Sequence, residues 1–144
     1  MKTLISCDYS PAGKYVLVEA QIFLAQIPCA VIHVLSVLDM GVISSAGMYN
    51  NGEVIKALEE QANEIKQWAE KIFIGKQVHF FTEVGYAADV ISGQAAALQV
   101  DLLILGTHGK TGLNRMIIGS VAESVLRNTN CKTLIIPVKH IKET

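Results

Sequence analysis

Apolar residues arrive along this chain in two rhythms. The first is the short unbroken run: "TLISC" at 3–7, "AVIHVLSVL" at 30–38, "DLLIL" at 101–105 and "TLIIPV" at 133–138. Runs of this length, rich in β-branched residues, are what strands covered on both faces require. They predict strands over Thr3–Cys7, Ala30–Leu38, Asp101–Leu105 and Thr133–Val138, and Gln77–Glu83 reads as a further one. The second rhythm steps by three and four. Ile55, Leu58, Ala62, Ile65, Ala69 and Ile72 place one apolar stripe on a helix over Glu53–Ile72, closed by Gly75.

Val16, Ala20, Phe23 and Ile27 share a face, and Leu17 and Leu24 widen it, so a well-buried helix is expected from Pro11 to Ile27. Ser10 supplies a capping hydroxyl, Pro11 needs no N–H in the first turn, and Pro28 stops the helix. Helices are also expected over Ala87–Leu98, weakened by Gly93, and over Ser120–Arg127. Residues 39–52 hold Gly41, Gly47, Asn50, Asn51 and Gly52 and read as a loop. Strands thus alternate with helices from end to end. That order implies an α/β fold: one parallel sheet with helices on both faces, in a single domain over residues 1–144.

Composition narrows the function. Of 144 residues, 51% are hydrophobic and 17% charged, which excludes a disordered chain. A net charge of −1 with no run of Lys and Arg argues against nucleic acid as the partner. The apolar start is interrupted at Asp8, too soon for a signal core or a membrane span, so a cytoplasmic protein away from membranes is expected. Cys7, Cys29 and Cys131 are dispersed, without zinc spacing, and read as small core residues in a reducing compartment. Cys7 stands out because it adjoins Asp8 at a strand end.

The stretch "LGTHGKTGLNRMIIGSVAE" at 105–123 carries the candidate chemistry. It is long for a connection from strand to helix, and long ordered connections are often functional. Gly106, Gly109 and Gly119 let the backbone approach a ligand, and exposed N–H groups in such turns cradle anions. Ser120 opens a helix whose first turn offers unpaired N–H donors, while Lys110 and Arg115 add positive charge. Neither the Walker A spacing nor G-x-G-x-x-G is present. Ser120 and Glu123 also spell a capping box, so Ser120 is expected both to cap the helix and to meet phosphate. His33, inside an apolar strand, reads as a core histidine. His79 and His140 carry no signal, and Gly112 reads as loop flexibility. Trp68, on the apolar side of its helix, reads as core or interface. His108 has no partner at metal-ligand spacing and is expected near phosphate instead.

The spacing Gly106-x2-Gly109-x9-Gly119-Ser120 resembles the nucleotide-binding signature of the universal stress protein family. "LISCDYS", "VIHVLSV", "GYAADVI", "GSVAESVLRN" and "TLIIPVK" are similar to that family's first and second strands, third-helix entry and last two elements. The resemblance implies a five-stranded parallel sheet in the order 3-2-1-4-5, of the Rossmann-like, adenine nucleotide alpha hydrolase-like type. It implies ATP, or ADP or AMP, as ligand, with magnesium carried on the nucleotide. By position it places Cys7 and Asp8 beside the adenosine, with Asp8 near ribose or metal, and Val34 against adenine. Leu105 and Gly106 would line the ribose and phosphate side, and His108, Gly109, Gly119, Ser120, Val121 and Ala122 would surround the phosphates. It implies a stress-response or signalling protein, a homodimer through the Thr133–Val138 edge strand, and at most slow ATP hydrolysis. A nucleotide-free interaction scaffold is the other alternative. Both the strand-end rule for open sheets and the resemblance choose the crevice between the first and fourth strands.

Overall fold

In the computed structural model, five strands join in one parallel sheet with the order β3-β2-β1-β4-β5. The structure describes residues 1–28, 30–45, 52–107 and 118–138, except for the side chains of Val42 and Ser45. The elements run β1 (Lys2–Ser6), α1 (Pro11–Leu24), β2 (Val31–Asp39), α2 (Met40–Ser45), α3 (Gly52–Ile72), β3 (Val78–Gly85), α4 (Ala87–Ala97), β4 (Leu102–Gly106), α5 (Ser120–Asn128) and β5 (Lys132–Ile136). The expected alternation, parallel sheet and strand order are therefore all present. None of the described helices is long and apolar enough to cross a membrane.

Two cores flank the sheet. Ile5, Ile32, Val34 and Ile104 face Val16, Leu17 and Ala20 of α1 and Ile65 and Ala69 of α3. Leu4, Leu35, Leu103 and Leu105 face Ile91 and Ala95 of α4 and Ala122 and Val125 of α5. Side chains alternate across a strand, so each buried strand must be apolar at consecutive positions, and the unbroken runs in the sequence follow from this. On β2, Ile32 and Val34 belong to the first core and Leu35 to the second, with Val37 packed against the second.

Several boundaries differ from the sequence expectation. Helix α1 ends at Leu24 rather than Ile27: the Ala25 N–H makes the last helical bond, to the Gln21 carbonyl at 2.8 Å. Proline lacks an N–H and disfavours helical backbone just before it, so Pro28 ends the helix early. Part of the expected 39–52 loop is helix, because Met40–Ser45 forms α2. Asp39 starts it, its Oδ1 accepting the Gly41 N–H at 2.7 Å. The signal was a single capping residue before a helix too short to show a period. Residues 46–51, with Gly47, Asn50 and Asn51, lie outside the described residues.

The strand order reverses between β1, whose chain returns to β2, and β4, whose chain goes on to β5. Connections leave such a pair in opposite directions and open a crevice beyond their carboxyl ends. Asp8 follows β1 and Thr107 follows β4, so both lie at this crevice.

Candidate functional site

A cavity of about 540 Å³ opens at that position. Its wall includes Cys7, Asp8 and Tyr9 after β1, Ser36–Asp39 at the end of β2, Leu105–Thr107 after β4, and Ile118–Glu123 entering α5. Leu58, Ala62 and Ile65 of α3 and Ala87 and Ile91 of α4 close the sides. The volume falls in the usual range for small-molecule sites, about 300–1,000 Å³.

The turn after β1 is tied down locally. The Ser10 N–H donates to the Asp8 carbonyl at 3.0 Å, the Ser10 hydroxyl donates to Asp8 Oδ1, and the Gly13 N–H donates to Ser10 Oγ at 3.0 Å. Ser10 is therefore the cap of α1, as its sequence predicts, and it also orients the Asp8 carboxylate. Tyr9 stacks on Trp68 of α3, with ring centroids 5.1 Å apart and planes 12° from parallel, and Lys14 Nζ lies 5.5 Å from the Trp68 ring. Trp68 also packs against the first core. Cys7 is buried; burial, and secondarily the Asp8 charge, push its thiol pKa up. A raised pKa keeps the thiol neutral, a wall group of the cavity.

At the other side, the start of α5 lines the cavity. The Gly119 N–H donates to the Thr107 carbonyl at 2.7 Å, which pins the two ends of the glycine-rich stretch together. The first bond within α5 runs from the Glu123 N–H to the Gly119 carbonyl at 2.9 Å. The N–H groups of Ser120, Val121 and Ala122 precede it, and all three residues line the cavity. The cap is Gly119, without a side-chain bond, so the capping-box expectation for Ser120 is corrected. Ser120 is the first helical residue, one position too late for its hydroxyl to cap, and Glu123 pairs with Arg127 at 2.8 Å instead.

Between these walls lies an open strand edge. The Val31 N–H donates to the Met1 carbonyl and the Cys7 N–H donates to the Leu35 carbonyl, so odd-numbered residues of β2 turn their backbone groups toward β1. The pairing of β1 with β2 ends at Ser6 opposite Leu35, while β2 continues to Asp39 against β3. The Val37 N–H and carbonyl are the next to face the β1 side. No strand partner or backbone bond meets them there among the described residues.

The crevice thus brings together Cys7, Asp8, Leu105, Gly106, Gly119, Ser120, Val121 and Ala122. Val34 is not among the lining residues. It is 0% exposed, in the core beneath the cavity, and Val37, three residues on, lines the wall. The strand-end rule was the available signal, since it favours the last residues of β2 over its middle. Gly13, Ser36 and Asp39 were also missed. His108, Gly109, Lys110, Gly112 and Arg115 lie outside the described residues, as do Cys29 and His140.

The described wall is acidic, with Asp8, Asp39 and Glu123 and no Lys, Arg or His. Among the described residues no three His, Cys, Asp or Glu side chains gather as a metal site. Asp8 suits a magnesium ion only as one ligand beside phosphate oxygens, the usual pattern for this cation.

A model of the universal stress protein family matches residues 1–137. The chain belongs to the universal stress protein family. Universal stress protein MJ0531 of Methanocaldococcus jannaschii is 37% identical over 78 residues, which span 54% of this chain and 45% of that protein. Universal stress protein MJ0577 of the same organism is 30% identical over 101 residues, spanning 69% of this chain and 62% of the relative. The solved structure of MJ0577 superposes with a TM-score of 0.82 at 28% identity, covering 96% of each chain. A universal stress protein from Archaeoglobus fulgidus in complex with dAMP shares the fold, with a TM-score of 0.67 at 19% identity, over 94% of this chain and 96% of the other. So does a universal stress protein in complex with cAMP, with a TM-score of 0.65 at 18% identity, over 95% and 96%.

Proposed function

We propose that this universal stress protein binds an adenine nucleotide across the crevice, with ATP as the preferred occupant, and serves as a nucleotide-responsive stress or signalling protein. The observation that carries this reading is the span of one cavity from the open backbone of Val37 to the first amides of α5, which have no backbone partner among the described residues. An N–H beside a carbonyl matches the base edge of adenine, where acceptor N1 neighbours the donor amino group. Guanine and hypoxanthine present the reverse order. The amides of Ser120, Val121 and Ala122, aided by the helix dipole, suit the phosphates. By their place in the sequence, Gly109 of the signature and its neighbour His108 are further candidates for phosphate contact, with Lys110 and Arg115 as sources of positive charge. Asp8 suits the ribose hydroxyls or a magnesium ion on the phosphates. Related proteins in complex with cAMP and dAMP support the adenine class.

Thermal unfolding with Mg-ATP tests the reading. Ligand at a hundred times Kd stabilises by about 2.7 kcal/mol, a rise in Tm of roughly 5–10 °C at this size. ITP and GTP are expected to bind at least about tenfold more weakly. Equal shifts with all three would remove the base edge from the argument, and no shift with any adenine nucleotide would remove the reading.

A homodimer through β5 belongs to the same proposal. This strand ends the sheet order, so one of its edges is open among the described residues. An unpaired apolar edge favours strand addition from a second copy, and Pro137 limits how far pairing runs. Light scattering at micromolar concentration is expected to give twice the chain mass; a monomer would refute it.

A further inference from the structure

Ser36 is a polar side chain in an apolar place. It is 4% exposed, on β2, and it lines the cavity. By alternation it shares the face of Ile32 and Val34, directly above Val34 toward the carboxyl end. Its hydroxyl makes no hydrogen bond to any described residue, yet it is not sealed in the core: its residual exposure is to the cavity. A buried hydroxyl without a protein partner calls for a ligand or an ordered water. An alanine of nearly the same shape would fill the position without leaving a polar group unpaired.

We propose that the Ser36 hydroxyl is a ligand-binding group that donates a hydrogen bond to a ring nitrogen of a purine held in the cavity. This rests on the nucleotide reading above. If the base turns its N1 and amino edge to Val37, its remaining ring acceptors are N7 and N3, on the two adjoining edges. Ser36 is the neighbour of Val37 and projects to the opposite face of β2, toward the wall formed by Ala62 and Ile65 of α3. A hydroxyl there can donate to whichever of the two nitrogens turns that way. Pyrimidines lack N7, so a bond to N7 would make Ser36 select for purines while Val37 selects among them; a bond to N3 would add affinity alone.

Calorimetric titration of the full chain with ATP, 7-deaza-ATP and 3-deaza-ATP tests this, on the wild type and on Ser36→Ala. Ser36→Ala is expected to weaken ATP about three- to tenfold. One of the two deaza analogues is expected to bind the wild type more weakly by the same factor, and to be indifferent to the substitution. The unliganded variant should melt at or above the wild-type temperature, because no protein hydrogen bond is lost. ATP affinity unchanged within about twofold, or both analogues still responding to the substitution as ATP does, would overturn the role of Ser36 and leave the nucleotide reading standing. Failure of the wild type to bind ATP at all would overturn both. A lower melting temperature of the variant would reassign Ser36 to the fold.

Discussion

Gly13 of α1 stands against Asp8 so closely that a Cβ placed on it would lie 2.1 Å from the Asp8 carbonyl oxygen and 2.8 Å from its Oδ1. No real side chain tolerates that separation. Glycine is therefore what lets the first turn of α1 close over the acidic turn, and the Gly13 N–H then serves the Ser10 hydroxyl that holds the carboxylate.

Gly13→Ala is accordingly expected to displace Asp8 or tilt α1. Overpacking of this kind costs about 1–3 kcal/mol, or roughly 3–12 °C in Tm. Affinity for Mg-ATP should fall with it. A variant with wild-type melting and wild-type affinity would show that the contact relaxes at no cost.

Ser120→Ala separates capping from binding. Loss of a true cap costs about 1 kcal/mol. Since Gly119 occupies the cap and Ser120 is the first helical residue, the substitution should leave stability within about 0.5 kcal/mol. Any effect should appear in nucleotide affinity, measured by titration. A drop in Tm without ligand would restore the capping role.

Val34→Ala should do the opposite. Val34 is fully buried among Ile32, Ile65 and the α1 residues, so trimming it removes core packing at about 1.5–3 kcal/mol. The preference for ATP over ITP should be retained if the base-facing group is Val37, as proposed. A changed preference would return Val34 to the site.

His33 sets a dependence on pH at the far end of the sheet. It pairs in register with His79, the rings stacked with centroids 5.1 Å apart, and its buried Nδ1 has no partner among the described residues. Burial lowers its pKa, with His79 and Lys2 adding to the effect and the Thr3 backbone opposing it. A folded-state pKa below the unfolded value means that the unfolded chain binds more protons through this window. The contribution is whole above about pH 6.5 and is lost as pH falls below that value. Melting curves from pH 7.5 to 5 should therefore fall more steeply for the wild type than for His33→Gln. Parallel slopes would disprove it.

How much of this was legible beforehand differs by element. Strands β1, β2 and β4 and helix α3 were readable because burial on both faces and a single apolar stripe leave opposite signatures in the order of residues. Helix α2 was hidden: six residues show no period, and its only mark was Asp39. The shift from Val34 to Val37 had another cause. Both are valines in one run, and periodicity does not say where the neighbouring strand stops.

The order of residues alone determined the alternation of strand and helix, the glycine spacing after the fourth strand and the caps at Ser10 and Pro11. Each depends on local sterics or on a period within one segment. Only the tertiary structure decided that β1 ends two residues short of Val37, that Ser36 opens onto the cavity beside it, and that Gly119 rather than Ser120 caps α5. Those outcomes depend on the register between strands and on how the chain closes from Thr107 to Gly119, relations between segments distant in sequence.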